Sequence, residues 1–133
     1  MKILFLRLIL AVTAAIMISS CQKETQPVKL VNRTINFNLY TEKDFSAENG
    51  NIVFNLMIRD GATTLLDSAI ATMKIKDIPN KANKLVFAKK LTIGSNVDLR
   101  VGFKYTIENV GYSWYFDNFE AGSLHKEVIF SFK

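Results

Sequence analysis

From Arg33 onward, apolar and polar residues alternate with a period of two rather than 3.6, the pattern of strands with one buried face. Ile35, Phe37 and Leu39 alternate with Asn36, Asn38 and Tyr40. Ile52, Phe54, Leu56 and Ile58 repeat the pattern, and Met73 and Ile75 alternate with Lys74 and Lys76. Leu85 and Phe87 come next, then Leu91 and Ile93 after the pair Lys89-Lys90. The longest run sets Val97, Leu99, Val101, Phe103, Tyr105 and Ile107 against Asp98, Arg100, Gly102, Lys104, Thr106 and Glu108. A short strand holds Tyr112, Trp114 and Phe116, and Val128, Phe130 and Phe132 mark the last.

Turn-forming residues fall between these runs. Asn49-Gly50 and Asp60-Gly61 tolerate the positive φ that tight hairpins need, and Asn109-Val110-Gly111 suits a three-residue hairpin. Residues 62–72 fit a strand, a loop or a single helical turn equally well. About seven short strands, each with one apolar face, predict an all-β domain of two antiparallel sheets packed face to face. An immunoglobulin-like or transthyretin-like sandwich is expected, with a small closed barrel as the alternative.

The first 21 residues follow another rule. Lys2 precedes an uncharged apolar run from Leu8 to Ile18, too short for the roughly 20 residues of a spanning helix. The run ends in Ile18-Ser19-Ser20-Cys21, which carries the only cysteine of the chain. This segment resembles the lipobox of bacterial lipoproteins: a branched aliphatic, two small residues, then cysteine. The resemblance implies that Cys21 takes a diacylglyceryl group through its thiol and becomes the mature N-terminus, with palmitate-type acyl chains as the membrane anchor. It also implies a signal peptide over residues 1–20, a lipidated N-terminus and tether over 21–32, and the β-sandwich over 33–133. Gln22-Lys23-Glu24 is similar to the lysine-plus-acidic signal that directs Bacteroidota lipoproteins to the outer face of the outer membrane. The expected location is therefore the cell envelope, anchored by lipid and surface-exposed, with a periplasm-facing anchor as the alternative.

Charge alters this picture little. The chain's net charge of +5 falls by two when Lys2 and Arg7 leave with the leader, so bulk charge gives no argument for nucleic acid as a partner. Locally, residues 74–104 hold Lys74, Lys76, Lys81, Lys84, Lys89, Lys90, Arg100 and Lys104 against only Asp77 and Asp98. Several alternate with apolar residues and are expected to share one solvent face. There they would protect an edge strand or meet anionic groups of the cell surface.

Catalytic chemistry is poorly represented. His125 is the only histidine, and Ser113, Ser123, Asp117 and Glu120 near it lack any nucleophile-elbow glycine pattern. With one histidine, one lipid-bearing cysteine and no Asp-x-Asp calcium loop, the sequence predicts neither catalytic residues nor a metal, and no cofactor. Asp67-Ser68-Ala69 resembles the acceptor of Bacteroidota protein O-glycosylation, which makes Ser68 a candidate modification site in an irregular stretch. In the aromatic cluster Tyr112, Trp114, Tyr115 and Phe116, parity divides the side chains between two faces. The more apolar set, Tyr112, Trp114 and Phe116, is expected to face the core. Tyr115, between Ser113 and Asp117, is then the candidate for stacking on a ligand.

These features predict a lipid-anchored, non-catalytic binding module for a surface glycan or an envelope protein. The alternative is a structural accessory subunit of a larger outer-membrane transport or adhesion complex.

Overall fold

The computed structural model describes residues 27–133. Cys21, the leader over 1–20 and the Gln22-Lys23-Glu24 segment lie outside the described residues. The described chain forms strands β1 (Leu30–Thr41), β2 (Asn51–Asp60), β3 (Thr63–Ala69), β4 (Met73–Lys74), β5 (Leu85–Gly94), β6 (Leu99–Ile107), β7 (Gly111–Phe119) and β8 (His125–Phe132). Two short 3-10 turns, Ile75–Asp77 and Lys81–Asn83, separate β4 from β5.

Two sheets pack as a sandwich. One has the order β5-β1-β8 and the other β3-β2-β6-β7, with the two-residue β4 also paired to β2. The strands do not close on themselves, so the barrel alternative is set aside. β1 is the centre of the smaller sheet, antiparallel to β5 and parallel to β8. In the larger sheet β2 and β6 are central, while β3 and β7 form its edges.

The period of two explains the core. Ile35, Phe37 and Leu39 of β1 are fully buried, facing Ile52, Phe54, Leu56 and Ile58 of β2 and Leu99, Val101 and Phe103 of β6. Phe103 meets Phe37 edge-on at 5.6 Å and stacks on Phe130 at 5.5 Å, with ring geometries that the aromatic quadrupole favours. Truncating such a buried ring costs about 3–5 kcal/mol.

Several expectations are refined. Residues 62–72, ambiguous in sequence, contribute β3. Asp60-Gly61 makes the β2–β3 turn with Gly61 at φ 52°, and Asn109 at φ 60° sits in the middle of the β6–β7 turn. Asn49-Gly50 makes no hairpin. It lies on the path from one sheet to the other, where the Gly50 carbonyl accepts a hydrogen bond from the Ile75 amide at 2.9 Å. The folded unit also starts earlier than Arg33: β1 begins at Leu30, and the Ser95 amide donates to the Lys29 carbonyl at 2.8 Å.

The expected basic face forms only in part, with Arg100 and Lys104 on one face of β6. Lys81 and Lys84 lie in and beside a 3-10 turn, Lys89 and Lys90 on β5, and Arg100 and Lys104 on β6 of the other sheet. The cluster is close in sequence and scattered in space, because the chain changes sheets between β5 and β6.

Candidate functional site: an aromatic and cationic sheet face

The edge strand β7 carries the main departure from expectation. Tyr112, Trp114 and Phe116 point outward, Tyr112 65% and Trp114 49% exposed. Their rings form a ladder along the strand, Tyr112 to Trp114 at 5.5 Å and Trp114 to Phe116 at 6.3 Å. Tyr115, the expected stacking residue, instead faces inward. Its ring lies 5.2 Å from Phe130, and its hydroxyl donates to Asp117 at 3.2 Å. Burial raises the Tyr115 phenol above its ordinary pKa, and the Asp117 charge adds to the shift.

The physical reason is the seam between the sheets. The polar neighbours Ser113 and Asp117 suggest a solvent-facing side, but β7 is an edge strand whose inner side opens onto β8. There Asp117 pairs with Lys126 of β8 at 3.7 Å, so a polar residue sits on the core side without being buried unpaired. The sequence held a signal to the contrary. Phe119 shares the parity of Tyr115 and Asp117 and is only 1% exposed.

Register brings cations to the same outer face. Trp114 pairs with Lys104, and Lys104 with Asn55. Phe116 pairs with Gly102, and Asn118 with Arg100, which in turn pairs with Arg59 of β2. The Arg100 guanidinium lies 4.9 Å from the Phe116 ring centroid, and Lys104 Nζ lies 5.9 Å from that of Tyr112. Both are cation–π arrangements. Gly102 is required where it stands. Any Cβ there would run into the backbone carbonyl of Tyr115, so glycine lets β7 approach β6 closely. Arg59, Arg100, Trp114 and Phe116 line a depression of about 320 Å³.

No protein-family model, curated protein or solved structure matches the chain.

The remaining candidates are dispersed. Ser68 lies within the regular edge strand β3, not in an irregular stretch. It is half-buried opposite Leu56, and the neighbouring Asp67 accepts a hydrogen bond from the Asn55 amide. His125 is exposed at the start of β8. Asp117, its formal triad partner, is already engaged by Lys126 and Tyr115. Among the described residues, no group of three or more His, Cys, Asp or Glu could hold a metal ion.

Sequence reading missed Arg33, which is fully buried. Its guanidinium donates to four backbone carbonyls: Ser123 at 2.9 Å, Val97 at 2.7 Å, Phe119 at 3.0 Å and Glu120 at 2.6 Å. Burial lowers its pKa, and the Asp98 charge partly opposes that shift. The signal was its parity, since Arg33 is in phase with Ile35, Phe37 and Leu39. Its role is architectural, joining β1 to the turns before β6 and after β7.

Proposed function

We propose that the chain is a lipid-anchored protein of the bacterial cell envelope, whose sandwich is a non-catalytic binding module for a surface glycan. Cys21, in its lipobox-like context, is the anchor, and Lys23 and Glu24 direct the domain to the outer face of the outer membrane. The observation that carries the binding reading is the outward ladder of Tyr112, Trp114 and Phe116. Aromatics in a row offer flat apolar faces to pyranose rings, and keeping Tyr112 and Trp114 in water, with Phe116 half-buried beside them, has no benefit to the fold itself. The binding residue is therefore Trp114 in place of Tyr115.

The strand order bears on the kind of sandwich. In an immunoglobulin constant-type domain the first two strands share a sheet. Here β1 and β2 lie in different sheets, so the transthyretin-like arrangement is the one we carry forward.

The test is titration of the full chain, in non-ionic detergent, with surface polysaccharide from its host. Trp114 is the only tryptophan, so its fluorescence reports on this face alone. Saturable change, abolished in parallel pull-downs by Trp114→Ala, is expected. Equal retention of wild type and Trp114→Ala on the polysaccharide would remove the reading.

A second reading, an accessory subunit of a larger envelope assembly, draws on the other sheet. Val86 and Ile129 flank buried Asn38 on its outer face and are both about half exposed. A stoichiometric protein partner that survives detergent solubilisation would favour it.

A further inference from the structure

Arg59 and Arg100 are direct cross-strand partners on the outer face of the larger sheet. Like charges placed opposite each other in a sheet repel. Among the described residues no carboxylate lies within ion-pairing distance of either guanidinium. Arg59 Nη2 donates to the Ala62 carbonyl at 3.0 Å, while its Nε is shielded from solvent and has no partner. The Arg100 guanidinium lies over the Phe116 ring, 4.9 Å from its centroid. Asp67, on the same face, is tied to Asn55, and Asp98 accepts from the Ala121 amide at 2.6 Å. Two arginines without an ion-pair partner thus stand opposite each other at one end of an aromatic ladder.

Resting on the glycan reading above, we propose that this face is specific for an acidic polysaccharide, one carrying carboxylates on its sugar rings. A carboxylate seats between Arg59 and Arg100, where planar guanidinium groups match it in a bidentate manner. The ring that bears it stacks on Trp114, and Lys104 meets a further acidic group beside Tyr112. The depression of about 320 Å³ lined by Arg59, Arg100, Trp114 and Phe116 is open to solvent and leaves room for one sugar unit of a longer chain. An anion there removes the arginine–arginine repulsion, so binding and fold stability reinforce one another.

The experiment compares oligogalacturonate with the same oligomer after its carboxyls are reduced to alcohols. Full-length protein in non-ionic detergent is used, with Trp114 fluorescence as the readout. The carboxylated oligomer is expected to bind at least tenfold tighter, with affinity falling as salt rises. Arg100→Gln, checked for an unchanged melting temperature, should abolish that preference. Because Arg59→Gln removes the opposing fork, it should do the same, and the pair guards against one variant misfolding. Equal affinity for the two oligomers overturns the acidic specificity and leaves the glycan reading in place. Binding of neither oligomer overturns it as well, and only failure of the host polysaccharide would also remove the glycan reading. Selective binding to phosphatidylglycerol vesicles, with no response to either oligomer, would reassign the arginines to lipid headgroups.

Discussion

The Arg33 guanidinium carbon lies 3.7 Å from the centroid of the Phe119 ring, with the Phe119 carbonyl hydrogen-bonded to the same side chain. A cation fully withdrawn from water is tolerated here because four carbonyls and a π face replace its hydration. Removing it leaves those carbonyls unpaired beneath the turns they terminate. Arg33→Met is therefore expected to lower stability by about 3–5 kcal/mol, measured by denaturant unfolding. Arg33→Lys should rescue little, since an ammonium cannot span four acceptors in one plane.

Parity on β7 is tested by paired melts. Tyr115→Ala removes a ring packed between Phe130 and the core cluster and should lower the melting temperature clearly, by about 2–4 kcal/mol of stability. Trp114→Ala removes a half-exposed ring and should cost no more than about 1 kcal/mol. The reverse order would turn the strand over.

Most of the fold was legible in the alternation of apolar residues, because Ile35, Phe37 and Leu39 and Ile52, Phe54, Leu56 and Ile58 each share one buried face, even though Met57 is buried out of phase with them. The site was not legible, because β7 is an edge strand whose two faces both carry aromatics. Composition alone favoured burying Trp114. The deciding facts were the Lys126–Asp117 pair across the seam and the burial of Phe119, and the first depends on how the sheets stack. Likewise Arg59 and Arg100 are 41 residues apart in sequence and meet only through the β2–β6 register. No local pattern announces such a pairing.

Tyr115 also gives a pH prediction. Its phenol is raised in the folded state, so on going alkaline the unfolded chain loses this proton first and binds fewer protons than the native one. Stability then falls with rising pH, beginning near the ordinary tyrosine value of about 10 and continuing up to the raised folded-state value. Tyr115→Phe should flatten that decline in melts across the alkaline range.

The anchor is tested at its sulfur. Labelled fatty acid is expected in the wild-type chain, whereas Cys21→Ser should incorporate none and accumulate as uncleaved precursor. Normal maturation of Cys21→Ser would end the lipoprotein reading. Changing Lys23 and Glu24 to alanine should shield the domain from protease added to intact cells.

The chain's single tryptophan stands half in solvent among arginine and lysine side chains, and collisional quenching tests that placement most directly. With Arg59, Arg100 and Lys104 around Trp114, iodide should quench its fluorescence several-fold more efficiently than caesium at equal ionic strength, the difference shrinking as added salt screens the cations. An indole quenched weakly by both ions would place Trp114 in the core. One quenched equally by both would leave it exposed but without the cationic surroundings on which the proposed binding face depends.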